Sequence, residues 1–145
     1  MTPAAALVPT GAGSAMIRSF ERCFLADASR IGEMRRTTAA HLRAWGVQDA
    51  VRIDDVVLVV SELVANGIQH GRGPITLRVA HIDGRVRVEV TDARPVPAAL
   101  RVAGDGDVSG RGLFIVEALT HAWGTSNNGT VTWALLDFDD AEEGA

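Results

Sequence analysis

The stretch from Asp49 to about Gln69 constrains the fold more than any other part of the chain. Its centre reads Val56-Val57-Leu58-Val59-Val60 and runs on as Ser61-Glu62-Leu63-Val64-Ala65-Asn66-Gly67-Ile68-Gln69-His70-Gly71. At 3.6 residues per turn, apolar side chains fall on nearly every face of its middle. Such a helix needs cover on more than one side, so the sequence predicts a helix wedged between a sheet and another helix. Asp49 is placed to begin it. Gly71 and Gly73 end it, and Pro74 prevents its continuation. Two polar residues break the oily pattern. Glu62 and Asn66 are four apart, hence on one face, with His70 a further turn along. A buried helix rarely carries a carboxylate and an amide without a use for them.

The rest of the chain supplies the sheet and the second helix. Arg18 to Leu25 alternates as a strand, with Phe20, Arg22 and Phe24 on one side. Asp27 or Ser29 is placed to cap the next helix, whose stripe is Ile31, Met34, Thr38, Leu42 and Trp45, and which Gly46 stops. Ile75 to Ala80 and Arg85 to Thr91 read as strands joined by Asp83-Gly84, a tight-hairpin signal. The stretch 93–110 is long and irregular, rich in proline and glycine, as binding lids often are. A helix is predicted over 112–122, then a turn at Asn127-Asn128-Gly129 and a last strand over 131–136. The predicted fold is α/β: a two-layer sandwich, its mixed, mostly antiparallel sheet covered on one face by helices. Residues 1–14 read as a flexible leader, 15–138 as a single domain and 139–145 as an acidic tail.

Composition excludes several functions. The 145 residues suffice for one domain with a sizeable core. The longest apolar run is too short to cross a membrane and the start lacks a basic signal region, so a cytoplasmic location is expected. Cys23 is the sole cysteine, which excludes an internal disulfide and a thiolate metal cluster; it is expected in or near the core. All 14 basic side chains are arginine and the net charge is −4. The negative charge gives no general pull toward nucleic acid, and the absence of lysine closes the Walker-type route to a phosphate loop. Arg35, Arg36 and Arg43 read as a solvated helix face, and Asp137 to Glu143 as a strand end running into a solvated tail.

Three elements carry chemistry. Glu62 can take a proton from a hydroxyl within its reach, and Asn66 offers a neutral oxygen of the kind Mg²⁺ accepts alongside substrate phosphates. Asp92 closes the strand Val86-Arg87-Val88-Glu89-Val90-Thr91 and can accept a hydrogen bond from a purine amino group. Gly110-Arg111-Gly112-Leu113 precedes a helix, where free N–H groups and glycine backbone suit an anion and Arg111 adds a charged donor. Taken singly, each has a plainer reading: a solvated glutamate, a packing amide, a turn-capping aspartate, an ordinary loop. His70 fits either the pocket or a helix cap. His41, His81 and His121 complete no metal-ligand set.

The order of these elements is more specific than its members. It resembles the GHKL, or Bergerat-fold, ATP-binding domain, and within it the single-domain bacterial anti-sigma regulatory serine/threonine kinases. Val59 to His70 is similar to that family's N-box, Gly110 to Val116 to its second glycine box and Thr130-Val131-Thr132-Trp133 to its terminal strand. The resemblance spans roughly Phe20 to Leu136. It implies ATP and Mg²⁺ as ligands, with Glu62 as base for phosphoryl transfer and Asn66 as the Mg²⁺ ligand. It further implies Asp92 as the adenine contact and Gly110 and Gly112 as part of the phosphate loop; Arg111 and Leu113 in the same run, and His70 beside the pocket, are expected to contribute to nucleotide binding. The partners it implies are a sigma factor and an anti-sigma factor antagonist protein; many members act as dimers, so a homodimer is expected.

One departure stands out. The family's first glycine box has a glycine two residues after the aspartate, whereas this chain reads Asp92-Ala93-Arg94-Pro95-Val96-Pro97. Proline fixes φ and removes an N–H, so the adenine side is reshaped. The alternative is therefore a noncatalytic regulatory module with weak or lost ATP binding.

Overall fold

The structure, a computed structural model, describes residues 17–70, 73–92 and 108–138. The leader 1–14 and the tail 139–145 lie outside the described residues. Eight elements follow one another: β1 (Ile17–Leu25), α1 (Ser29–Ala44), α2 (Ala50–His70), β2 (Pro74–Ile82), β3 (Arg85–Thr91), α3 (Val108–Leu119), β4 (Ala122–Ser126) and β5 (Val131–Asp137).

The strands form one sheet in the order β1-β2-β3-β5-β4. Every neighbouring pair is antiparallel, so the mixed sheet expected from the sequence is antiparallel throughout the described residues. Register follows the period of two. Phe20 lies opposite Val79, Val79 opposite Val88, and Val88 opposite Ala134, and all four are buried on the helix-covered face. The β2–β3 turn is a two-residue hairpin with φ of 54° at Asp83 and 76° at Gly84, the left-handed pair a type I′ turn requires. Between β4 and β5, Asn127, Asn128 and Gly129 all take positive φ; two asparagines and a glycine accept that conformation at the lowest steric cost.

Helix α2 is the wedge the sequence predicts. It packs against α1 and α3 on its flanks and against β2, β3 and β5 beneath. Val56, Val59, Val60 and Val64 are fully buried in it, and Leu63 nearly so. Asp49 starts it: its Oδ1 accepts from Val51 N at 3.0 Å and Arg52 N at 3.3 Å, satisfying two of the N–H groups a helix start leaves open. In α1, the residue before the helix is Ala28, and Asp27 acts one position upstream by accepting from Ser29 N at 3.0 Å. The predicted α1 stripe holds, with Met34, Thr38 and Leu42 buried and Ile31 and Trp45 packed on the core.

Two expectations are corrected and one strand is added. Cys23 is exposed: β1 is an edge strand, Phe20 and Phe24 take its inward positions, and residue 23 falls on the other face. The helix expected over 112–122 runs instead from Val108 to Leu119. Residues 122–126 form β4, paired along β5 from Ala122↔Leu135 to Ser126↔Val131. This strand, Ala-Trp-Gly-Thr-Ser, has little alternation of its own and exists through its pairing partner.

One end of the molecule is closed by rings. Phe20 stacks on His41 at 4.3 Å between centroids, Trp45 on His81 at 6.2 Å, and His81 meets Phe138 at 6.4 Å. Arg18 Nη1 donates to the Trp45 carbonyl at 2.8 Å. Burial, and secondarily the Arg18 charge, hold the His81 imidazole below its ordinary pKa. A histidine whose folded pKa is depressed binds fewer protons folded than unfolded. Its contribution is therefore complete above about pH 6.5 and is lost as pH falls through that value toward the folded pKa. The midpoint of thermal unfolding is expected to drop as pH falls below about 6.5, and His81→Phe, which keeps the stack, to flatten that slope. An unchanged slope in the variant would assign the drop to another group.

Candidate functional site

The site is built on the second half of α2. Covering by α1, α3 and the sheet forces this stretch into the interior, and the two polar residues go with it. Asn66 is 3 % exposed, while Glu62, one turn earlier on the same face, is half-buried. Two side-chain atoms among the described residues are buried without a hydrogen-bond partner. One is Thr38 Oγ1, within the α1 core stripe between Met34 and Leu42; the other is Asn66 Oδ1. An orphaned carboxamide oxygen lowers stability by about 1–3 kcal/mol. Such a feature is retained where something other than the protein supplies the partner.

Asp92 is brought to the same helix by β3. It is 5 % exposed and follows directly on Thr91, and its backbone N–H donates to Thr130 O at 2.9 Å. That bond ties the end of β3 to the start of β5 and fixes where the carboxylate begins. Gly67 provides the contact between the two elements. A Cβ at Gly67 would lie 3.2 Å from Val90 Cγ1, 3.5 Å from Ile75 Cδ1 and 3.7 Å from Asp92 Oδ2. Asp92 thus sits against the helix turn that carries Asn66. Thr132, beside Val90 in the next strand and 3 % exposed, is the other buried polar residue of this region.

Sequence reasoning passed over Gly67. The available signal was a glycine inside a helix otherwise free of breakers, which lowers helix stability by about 1 kcal/mol relative to alanine and so asks for a packing reason. Its reason is Asp92 and Val90 on the facing strand, which the helix pattern alone does not reveal.

Helix α3 brings in the glycine box. Leu113 and Val116 are buried in the shared core, and the helix packs on α2. Gly110, Arg111 and Gly112 lie within the first turns of this helix rather than in a loop before it. The side chains of residues 108–112 lie outside the described ones, as do residues 93–97 with Arg94 and Pro95. His70 ends α2, half-buried, one turn beyond Asn66.

The donor set suits a shared cation rather than a protein-held one. Among the described residues, no three His, Cys, Asp or Glu side chains gather as metal ligands. Mg²⁺ commonly takes one or two protein oxygens and completes its shell with water and phosphate. The single unbonded Asn66 oxygen fits that arrangement. Two cavities lie away from this constellation. One of about 470 Å³ sits at the β2–β3 hairpin, lined by Asp83, Arg85 and Asp137 among others. The other, of about 430 Å³, is a groove between α1 and α2.

Among the described residues, no helix is long and apolar enough to cross a membrane. A comparison with curated proteins found no match. The model of the histidine kinase-like ATPase domain matches residues 24–136, a span that opens in β1, ends in β5 and includes Glu62, Asn66, Asp92 and the glycines of α3. With that match over most of its length, and with an antiparallel five-stranded sheet carrying helices on one face, the chain belongs to the histidine kinase-like ATPase domain family.

Proposed function

We propose that the protein is an ATP-binding anti-sigma regulatory protein with serine/threonine kinase activity toward an antagonist protein. The observation that carries this reading is the buried, unbonded Asn66 Oδ1, one turn from Glu62 and on the helix turn that packs against Asp92. Asp92, 5 % exposed, would accept a hydrogen bond from the adenine amino group, at a depth that excludes competing water. Asn66, whose buried carboxamide oxygen has no partner in the protein, would hold Mg²⁺. The first turn of α3, which includes Gly110, would offer its free N–H groups to the phosphates, with Arg111, Gly112 and Leu113 following in the same helix and His70 at the end of α2. Bound ATP with Mg²⁺ supplies the phosphoryl group and offsets its negative charge. Glu62, less buried than Asn66 and one turn from it, would take the proton of a serine or threonine hydroxyl.

The sigma factor and its antagonist are the partners this reading names, in a cytoplasmic protein that acts as a homodimer. Support for these rests on the order of motifs rather than on a contact. Glu62→Ala is expected to lower phosphoryl transfer to the antagonist about a hundredfold or more while nucleotide affinity holds. Undiminished transfer in a quenched single-turnover assay would remove Glu62 from the role of base. The segment Ala93-Arg94-Pro95 favours the second reading, a noncatalytic regulatory module. Calorimetry with ATP and Mg²⁺ separates the two, since a chain that gives no heat at millimolar nucleotide is not a kinase.

A further inference from the structure

The groove of about 430 Å³ between α1 and α2 is lined by Gly32, Arg35, Arg36, Ala39 and Arg43 from α1 and by Val57 from α2. Its charge has no counterpart among the described residues. Elsewhere on these helices, Arg30 pairs with Glu33 at 2.7 Å and Arg52 with Asp55 at 4.0 Å. Arg35, Arg36 and Arg43 are exposed and form no ion pair with any described residue. Three guanidinium groups thus gather around one concave surface in a chain of net charge −4. The positive potential is local, and it calls for a ligand with few, well-placed negative groups.

Shape narrows the class of ligand further. Arg36 and Arg43 lie on one face of α1, two turns and about 10 Å apart along its axis. The floor between them is low because Gly32 and Ala39 are small, and Val57 makes the opposite wall apolar. Arg36 lies back toward that floor, with Nη1 3.4 Å from where a Gly32 Cβ would stand. Cations two turns apart beside a shallow, partly apolar trough complement a helix with carboxylates at the same interval and small or aliphatic side chains between them. A bilayer is flat, and a nucleic acid carries a long run of phosphates that the net charge of this chain repels. Neither matches a short concavity.

We propose that this groove is a docking site for an acidic helix of a partner protein, whose carboxylates pair with Arg36 and Arg43 while Arg35 adds a third cation at the rim. Val57 and Asn66 are nine residues apart, hence about 180° around α2 from one another. The groove therefore faces away from the side of α2 that carries Asn66, and a docked helix leaves that side uncovered. The inference stands on the groove alone, and its test is run without ATP.

The probe is a fluorescent, alanine-rich helical peptide with glutamates two turns apart, compared with its glutamine counterpart. Each is titrated into the full chain by anisotropy at low salt. The parent is expected to bind the glutamate probe about tenfold more tightly than the glutamine one, the sum of three exposed charge pairs. The triple variant Arg35→Gln, Arg36→Gln, Arg43→Gln is expected to lose that preference while its thermal melt stays that of the parent, since glutamine suits an exposed helix position. Salt at 0.5 M, with a screening length of roughly 4 Å, is expected to remove it too. Gly32→Leu raises the floor and keeps all three charges, so it separates shape from charge; it is expected to weaken the glutamate probe severalfold. Equal affinity of the parent for the two probes would overturn the proposal, as would a preference undiminished in the triple variant or a Gly32→Leu variant that binds as the parent does. Tighter, arginine-dependent binding of phosphatidylserine vesicles or of a DNA duplex than of the glutamate probe would overturn it as well, giving the patch to a lipid surface or to nucleic acid.

Discussion

Asn66→Ala will abolish the stabilisation of the protein by ATP and Mg²⁺ while leaving its ligand-free stability within about 1 kcal/mol of the parent. The two halves of this expectation have one cause. Asn66 Oδ1 makes no hydrogen bond inside the protein although it is buried. Removing it takes away an unsatisfied acceptor, a gain of about 1–3 kcal/mol, and the void left by the shorter side chain offsets that gain. A buried asparagine that held the fold together would behave otherwise, since its loss would strand its partners. With nucleotide at a hundred times its dissociation constant, the parent gains about 2.7 kcal/mol. For a domain of this size that corresponds to a rise in Tm of roughly 6–10 °C. Thermal melts of parent and variant, with and without ATP and Mg²⁺, measure both quantities. A variant strongly destabilised without ligand would make Asn66 a structural residue. A variant with the parent's nucleotide-induced shift would remove it from the cation site.

Gly67→Val is expected to destabilise the ligand-free protein by about 2 kcal/mol, the overpacking penalty of a filled core, and to eliminate nucleotide binding under conditions where the protein remains folded. The substituent enters a space where even a Cβ stands 3.2 Å from Val90 Cγ1 and 3.7 Å from Asp92 Oδ2. The valine methyl groups reach further still, so strand β3 and the carboxylate that follows it must move. Because Asp92 is held on its other side by the bond from its N–H to Thr130 O, the displacement falls on the side chain proposed to read adenine. Denaturant unfolding gives the first effect and calorimetry with ATP the second. Asp92→Ala serves as the comparison: it loses nucleotide binding without overpacking. If Gly67→Val kept the parent's ATP affinity, Asp92 and this turn of α2 would not share a site.

The elements legible in the sequence were those whose signals are local. Asp49 caps α2 because a short carboxylate just before an apolar run meets free N–H groups wherever the helix lies. Asp83-Gly84 and Asn127-Asn128-Gly129 form turns because few other residues tolerate positive φ. The buried character of α2 was visible because its apolar residues leave no solvent face. The spacing of Glu62 and Asn66 was enough to put them on one side of it.

What local signals missed was decided by neighbours. β4 has a weak strand sequence and forms because β5 offers it a ladder. α3 begins at Val108, through two glycines that disfavour helix, because Leu113 and Val116 gain burial against α2. Cys23 looked like a core residue by type, yet strand alternation on an edge turned it outward.

The candidate site divides along the same line. By itself the sequence supplied the residues of the proposed site and their order, because a carboxylate, an amide and a glycine box have fixed properties at fixed spacing. Tertiary structure alone decided that Asp92 meets the Asn66 turn across Gly67, and that the Asn66 oxygen is left without a partner. It also decided that Arg35, Arg36 and Arg43 share a groove. Convergence depends on which strand packs beneath which helix turn, and burial depends on every surrounding layer at once; neither is a property of a short stretch of chain.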